Sequence, residues 1–156
     1  MSQCSGKYSE ENITLRPVTE NDIKKIYEWR NLQEVRKVSL DDRKISWDEH
    51  IKFWDDYLKN KKGYAFIIEY NGIDCGVIRL DMKKNNKAEV SIIISPKFQG
   101  IGIGTKSLNL ACKIARRLNI KGLTARIKPN NKKSINIFIK NNFKLKYNCY
   151  ELEFDN

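Results

Sequence analysis

The stretch SPKFQGIGIGT occupies residues 95–105 and follows AEVSIIIS at 88–95, a β-branched run typical of a buried strand. From residue 104 to 118, apolar residues recur at helical spacing. Glycine at positions 100, 102 and 104 allows the intervening backbone to approach a ligand without a Cβ clash. Exposed amides in such a turn, with the positive end of the following helix, suit a pyrophosphate. The stretch therefore predicts a strand, a phosphate-binding turn and a helix.

Three phosphate-binding patterns compete for this turn. The dinucleotide-binding pattern G-x-G-x-x-G needs an early strand and another spacing, whereas this turn has G-x-G-x-G late in the chain. The Walker pattern needs a lysine that the turn lacks in register. The third pattern, Q/R-x-x-G-x-G/A, is matched completely by Gln99, Gly102 and Gly104. The sequence therefore favours the third pattern.

The elements on either side of the turn alternate between helices and strands. Asn71-Gly72 between two β-rich runs indicates a hairpin, and Ser46 with Glu49 forms a capping box that opens a helix. The predicted elements are a strand at 12–18, a helix from residue 19, a loop or short broken helix at 32–45, a helix at 46–59, strands at 64–70, 73–81 and 88–95, a helix at 104–118, a strand at 123–129, a helix at 131–141 and one or two strands in 143–154. The order β-α-α-β-β-β-α-β-α-β-β indicates an α/β (α+β) fold around a mixed sheet.

Length and composition restrict the class of protein. The 156 residues, 40% of them hydrophobic, suit one domain, which we place at 12–156 behind a polar, flexible segment at 1–11. No run reaches the roughly 20 apolar residues that a membrane span requires. The N-terminus lacks an apolar signal core, so we expect a cytoplasmic protein.

Cysteine spacing and net charge restrict the kinds of ligand and partner that we expect the protein to bind. The four cysteines show no C-x-x-C spacing and there is one histidine, so we expect neither a metal site nor a disulfide framework. The net charge of +11 attracts anions in general. Because the excess is scattered lysine without an arginine-rich arm, a solvated surface is the plainer interpretation. Nucleic acid and membrane are not expected as partners.

The turn, the strand before it and the element order together resemble the GNAT superfamily of acyl-CoA N-acyltransferases over about residues 12–145. This resemblance implies an acetyl-CoA-dependent enzyme whose glycine turn holds the coenzyme A pyrophosphate. It also implies that the preceding strand splays from its neighbour and bonds pantetheine through its backbone. The backbone amide of Ile92 or Ile93 would polarise the thioester carbonyl, as in an oxyanion hole. The cofactor-binding residues implied here are Ile92, Ile93, Ile94, Gln99, Gly100, Ile101, Gly102, Ile103, Gly104 and Thr105.

A second family pattern, N-x-x-S-x-x-x-Y-x-x-x-G-F, matches the chain from Asn131 to Phe143. It implies that Asn131 bonds the pantetheine arm and that Ser134 and Phe138 lie beside it. Phe138 stands where the pattern has a tyrosine that often protonates the departing thiolate, and a phenyl ring has no proton to donate. Water, another residue or unaided departure remain, since the pKa of a thiol is roughly 8.5.

Acetyl transfer also needs a group that accepts the proton of the attacking amine. Glu89, at the start of the splayed strand, is the first candidate for this base. The competing interpretation is a surface carboxylate paired with lysines, because side-chain parity on a strand reverses at any bulge. Glu69, Asp81 and His50 are further candidates.

The run from Trp29 to Trp54 carries the substrate signal. Its W-R-N, V-R and I-S-x-x-x-H motifs resemble the GNAT branch that acetylates UDP-linked amino sugars, nearest to the UDP-4-amino-sugar N-acetyltransferase of the pseudaminic acid pathway. That resemblance implies arginines on the diphosphate, a tryptophan stacked on uracil or the sugar, and a histidine on a hydroxyl. The candidate substrate-binding residues are Arg30, Asn31, Trp47 and His50, with Arg36 and Trp54 as additional ones.

Three functions stay open at this point. The first is acetylation of a nucleotide-linked amino sugar by direct attack in a ternary complex. The second is acetylation of a protein N-terminus or a lysine, and the third is a non-enzymatic basic module, which Phe138 favours. The tryptophans are equally compatible with core anchors. Since GNAT proteins often pair through their C-terminal strands, the resemblance also implies a homodimer.

Overall fold

The computed structural model describes residues 6–155. Within that range the strands are β1 (Tyr8–Glu10), β2 (Ile13–Pro17), β3 (Gly63–Tyr70), β4 (Ile73–Met82), β5 (Lys87–Ile94) and β6 (Gly122–Thr124). The α-helices there are α1 (Ile23–Asn31), α2 (Gln33–Arg36), α3 (Trp47–Lys59), α4 (Ile103–Arg117) and α5 (Lys132–Lys140). In this part of the chain, none of the helices combines the length and the apolar character that crossing a bilayer requires.

The strands form one mixed sheet in the order β1-β2-β3-β4-β5-β6. Neighbouring strands are antiparallel except β5 and β6, which run parallel. The predicted hairpin between β3 and β4 is confirmed, because Asn71 and Gly72 both have positive φ values, 50° and 81°. The predicted α/β (α+β) class with a mixed central sheet is confirmed as well.

The two faces of the sheet carry separate hydrophobic clusters. Alternate residues of a strand point to opposite faces, and β5 shows the division. Val90, Ile92 and Ile94 join the cluster that α4 and α5 cover, whereas Ile93 packs with the cluster that α1 and α3 cover. Strand β5 therefore faces both layers of helices.

The sheet opens between β5 and β6. These two strands pair only from Lys87 to Glu89 on β5, opposite Gly122 to Thr124 on β6. Residues 90–94 of β5 continue beside β4 but have no strand on their other edge. The predicted splay of the middle strands is thus confirmed, and it leaves a gap in the sheet beside the end of β5.

The C-terminal tail departs from the prediction. Residues 143–155 contain no strand, so the strands predicted there are wrong, and the strand predicted at 123–129 is reduced to β6. Apolar residues in the tail stay 73 to 91% exposed, namely Leu145, Tyr147, Tyr150, Leu152 and Phe154. A period-two pattern forms a strand only where a second strand is available to pair with it. The tail has found no such strand within the described residues.

At the other end of the chain, the sequence does not predict β1. Tyr8 packs edge-on against Phe66, with ring centroids 6.1 Å apart, and Lys113 bonds the Glu10 carboxylate at 2.7 Å. These contacts order a stretch whose composition is polar. Residues 1–5, which include Cys4, lie outside the described residues.

Candidate active site

A cleft of about 920 Å³ lies where the sheet opens. One wall consists of the end of β5, the glycine turn and the first turns of α4 and α5. The other wall consists of α2 and the loop that follows it. Predicted site residues that line the cleft are Arg30, Glu89, Ile92, Ile93, Ile94, Gln99, Gly100, Gly102, Ile103, Gly104, Thr105, Asn131, Ser134 and Phe138.

The glycine turn borders the cleft where it enters α4. Gly100 and Gly102 have φ values of 84° and 87°, which residues other than glycine rarely adopt. A Cβ atom at either position would meet no protein atom within 4 Å, so both face open space. Gly102 is also the N-cap of α4, and no side chain caps this helix. The amides and the positive end of the helix dipole are therefore available to an anion in the cleft.

Gly104 serves a different purpose from the other two glycines. A Cβ atom there would lie 2.5 Å from the Cδ1 atom of Ile137 on α5. Its φ is not positive, so its value lies in letting α4 and α5 pack closely. Gly104 thus has a packing role that the sequence did not predict, and the approach of its backbone to a ligand stays a prediction.

Gln99 fastens the turn to its surroundings. Its Nε2 donates to the Ile94 carbonyl at 2.9 Å, and Lys133 Nζ donates to its Oε1 at 3.0 Å. Lys133 thereby adds a positive charge near the turn. Ile101, at the tip, is 58% exposed and is not among the residues that line the cleft.

The start of α5 is capped by the side chain of its N-cap residue. Asn131 is the N-cap, and its Oδ1 accepts from the Ser134 amide at 3.2 Å. Two turns after the N-cap, Phe138 is buried and packs edge-on against Phe143, with ring centroids 4.9 Å apart. Phe138 therefore has a packing role that requires no hydroxyl, and it offers the cleft no proton.

Both carboxylates near the start of β5 are paired with cations. Glu89 accepts from Arg126 Nε at 2.9 Å and lies 4.0 Å from Lys83 Nζ. Asp81 lies opposite Glu89 on β4, where it accepts from the Tyr57 hydroxyl at 2.7 Å and from Arg79. Burial raises the pKa of Tyr57, and the negative charge of Asp81 raises it further. The phenol therefore stays protonated and remains a donor to Asp81 at neutral pH.

A smaller cavity of about 280 Å³ adjoins the cleft on the α1 and α3 side of the sheet. Residues common to both are Arg30, Asp41, Arg79, Ser91 and Ile93. Its remaining walls are largely apolar and aromatic, with Ile26, Phe53, Trp54 and Val77 among them. We call this space the side cavity.

His50 lines the side cavity and is buried. Its Nε2 lies 2.8 Å from the Ile23 carbonyl, which makes Nε2 the donor and leaves Nδ1 as an acceptor. Burial lowers the pKa of His50; the bond to Ile23 opposes this, and the charge of Arg30 adds to the lowering. His50 is accordingly neutral at physiological pH.

Arg30 and Arg79 meet where the two cavities join. Arg30 Nη1 and Arg79 Nε are buried and have no hydrogen-bond partner. Burial lowers the pKa of Arg30, and the positive charges of three neighbouring arginines lower it further. The negative charge of Asp41 partly offsets this lowering. Arg79 is not among the predicted site residues, although a lone arginine inside the apolar run of β4 is a signal that could have identified it.

Three other substrate candidates lie outside both cavities. Asn31 exchanges two hydrogen bonds with the backbone of Ile45, each 2.9 Å long, and so anchors the loop before α3. Trp47 is 42% exposed and stacks on His50 with centroids 6.0 Å apart. Arg36 donates to the Asp42 carbonyl at 3.2 Å. The structure thus gathers Arg30, His50 and Trp54 around the side cavity, and leaves these three at its periphery.

Residues 6–155 contain no group of three or more His, Cys, Asp or Glu side chains that could hold a metal ion. The side chains that line the cleft carry guanidinium, ammonium, hydroxyl, amide and carboxylate groups.

Comparison with known proteins agrees with this geometry. A family model described as an acetyltransferase (GNAT) domain matches residues 12–144. The chain is 26% identical over 139 residues to the spermidine N(1)-acetyltransferase of Escherichia coli K12, covering 86% of this chain and 74% of that protein.

Solved structures share the fold. The spermidine N-acetyltransferase of Vibrio cholerae, in complex with CoA and spermine, superposes with a TM-score of 0.82 at 20% identity, over 94% of this chain and 89% of that one. A ribosomal L7/L12 alpha-N-protein acetyltransferase in complex with coenzyme A gives 0.77 at 19% identity, over 88% and 83%. None of these three relatives is named as an amino-sugar enzyme.

Proposed function

The chain belongs to the GNAT acetyltransferase family, and we propose that it acetylates the primary amine of a nucleotide-linked amino sugar by direct attack in a ternary complex. Acetyl-CoA is the co-substrate of this family of N-acetyltransferases. What is proposed beyond the family assignment is the acceptor and the role of each residue.

The observation that carries the proposal is the uncapped start of α4 at the glycine turn. Gly102 is the N-cap of the helix and offers no side chain to its amides. Gly100 and Gly102 both have positive φ values, and no protein atom lies within 4 Å of where their Cβ atoms would be. Amides in this arrangement bind the diphosphate of a coenzyme A thioester. The unpaired edge of β5 at 90–94 would then bond the pantetheine arm.

The catalytic roles follow from position along β5. The backbone amide of Ile92 or Ile93 would stabilise the negative charge that develops on the thioester oxygen. Glu89 would accept the proton of the amine through water, and the bond from Arg126 Nε at 2.9 Å holds its carboxylate in place. Because Phe138 has no proton, the thiolate would leave unaided or take its proton from water.

The side cavity supports a ring-bearing acceptor. Its aromatic wall, with Phe53 and Trp54, suits a flat base or a sugar face, and the neutral His50 lies beside them with Nδ1 as an acceptor. The relatives named above act on spermidine or on a protein N-terminus. Those amines are the competing acceptors, and a direct assay separates them from the amino sugar.

The test has two arms. Saturating acetyl-CoA will raise the unfolding temperature, since a ligand at about 100 times its Kd stabilises the native state by about 2.7 kcal/mol. Release of free thiol is then measured with a UDP-4-amino sugar, with spermidine and with a peptide bearing a free N-terminus. Exposed Cys149 reacts with thiol reagents, so each assay is paired with one lacking acceptor. Turnover of spermidine or peptide alone would overturn the acceptor assignment, and no thermal shift would overturn the enzyme.

We extend the proposal to a homodimer formed through the C-terminal tail, and to a cytoplasmic location. The exposed apolar residues of 145–154 and the position of β6 at the edge of the sheet support the dimer. Light scattering will report a dimer for the full chain and a monomer for a chain ending at residue 143. A monomeric full chain would contradict it.

A further inference from the structure

The junction between the cleft and the side cavity holds two positive groups whose hydrogen bonding is incomplete. Arg30 Nη1 and Arg79 Nε are both buried and without a partner. Both arginines line both cavities, so the two side chains border the same space. A buried charged donor without an acceptor is costly, which indicates that a ligand supplies the missing acceptors.

Acidic side chains near the junction neutralise this pair only in part, since Asp81 forms an ion pair with Arg79 and the charge of Asp41 acts on Arg30. The Asp41 carboxylate accepts from Arg43 at 2.8 and 3.0 Å and gives Arg30 only its backbone carbonyl. Asp81 is shared between the Tyr57 hydroxyl and one nitrogen of Arg79. The junction therefore remains positive where a ligand would enter.

Packing holds the Arg79 guanidinium in place. Its Cζ lies 4.8 Å from the centroid of the Phe53 ring, a cation–π contact, and Nη2 donates to Asp81 at 3.2 Å. On the sheet, Arg79 lies opposite Ser91, the residue directly before Ile92. The unpartnered Nε is thus fixed one residue away from the proposed oxyanion site.

We propose that Arg30 and Arg79 jointly bind an oxyanion, phosphate or carboxylate, that is part of the acceptor and that selects acceptors carrying an amine and an anion together. This inference rests on the proposed acetyl transfer, because it places the acceptor beside Ile92. Arg79 replaces Arg36 as the partner of Arg30 in the recognition implied by the sequence. Polyamines are disfavoured, because two guanidinium groups repel a second cation.

The experiment is calorimetric titration of protein saturated with coenzyme A, which blocks the glycine turn against anionic probes. UDP tests a phosphate, glutamate tests a carboxylate, and spermidine tests a polycation. The variants are Arg30→Gln, Arg79→Gln and Arg79→Lys, the last keeping the charge but losing the planar fork. Arg117→Gln is the charge-matched control, since Arg117 is exposed at the far end of α4 and lines neither cavity.

UDP or glutamate will bind the saturated wild type, and each glutamine variant will weaken that probe at least tenfold. Arg79→Lys will fall between, and Arg117→Gln will match the wild type. Binding of spermidine alone to the wild type would overturn the inference even if a variant fails to fold. So would folded glutamine variants that bind UDP and glutamate as the wild type does. Failure of coenzyme A itself to bind would instead sink the proposed function.

Discussion

The two sides of the sheet offer a ligand different kinds of donor. On the α4 and α5 side, the available donors are backbone amides at the glycine turn, which no side chain caps. On the α1 and α3 side, they are the buried guanidinium nitrogens of Arg30 and Arg79. Backbone donors are positioned by local conformation, which glycine spacing reveals in a sequence. A side-chain donor stays available to a ligand only if the neighbouring acceptors bond other groups. Those pairings depend on the folded structure and cannot be found in a local stretch of sequence.

Helix starts show the same contrast within one class of feature. Ser46 caps α3 and Asn131 caps α5, each accepting a hydrogen bond from the amide three residues later. Gly102 leaves α4 uncapped. Helices α1 and α2 also begin without a side-chain cap, so what distinguishes α4 is that its uncapped start borders the cleft.

The largest effect is expected from Gly102→Ala. A Cβ atom would project from the turn into the open cleft, and the left-handed backbone would be strained. Affinity for acetyl-CoA, measured by calorimetry, will fall roughly a hundredfold, or about 2.7 kcal/mol.

The matched control for this change is Gly72→Ala in the β3–β4 hairpin. Gly72 has a φ of 81° and equally open surroundings, but it lies away from the cleft. The two variants will lose similar stability, and only Gly102→Ala will lose affinity. Equal affinity in both variants would argue against the turn as the binding site.

Gly104→Ala tests the structural glycine of the same turn. The added methyl would press on the Ile137 side chain, and overpacking of this kind costs about 1 to 3 kcal/mol of stability. Ile137→Val removes the Cδ1 atom that would clash, so the double variant will recover part of the loss in urea unfolding. Strictly additive effects would show that the contact between α4 and α5 is not what requires glycine.

Asn131 separates capping from ligand binding on α5. Asn131→Ala will cost about 1 kcal/mol of stability, as will Ser46→Ala at the start of α3. Asn131→Ser keeps the cap but removes the amide donor. We therefore expect wild-type stability with a raised KM for acetyl-CoA in the serine variant. An unchanged KM would leave Asn131 as a cap alone.

The smallest effect concerns pH and the side cavity. Because burial lowers the pKa of His50, the unfolded chain binds a proton more readily than the folded one. Stability from this group is complete above the ordinary pKa of about 6.5 and decreases as the pH falls toward the lowered value. Unfolding temperatures between pH 7 and pH 5 will decline more in the wild type than in His50→Gln. Parallel declines would show that His50 does not titrate on unfolding.

Local signals in the sequence predicted much of the fold, including the turn before α4. The Asn71-Gly72 hairpin and the Ser46 capping box form as expected because neighbouring residues determine them. The strand prediction for the tail was wrong. Apolar residues such as Leu145 and Tyr147 alternate with polar ones as in a strand, but they have no neighbouring strand to pair with. Arg79 was missed because two contacts of the folded chain fix its guanidinium group. Phe53, which packs against it, is distant in the sequence, and Asp81 is near in the sequence but its bond to Arg79 is known only from the structure.

The short pairing of β5 with β6 has a mechanical consequence. Three residue pairs are the whole ladder between β6 and the antiparallel part of the described sheet. Residues 90–94 of β5 therefore have no backbone link to the C-terminal third of the chain. A co-substrate bound across the gap as proposed would supply that link, so we expect its binding to make the two parts of the sheet more rigid.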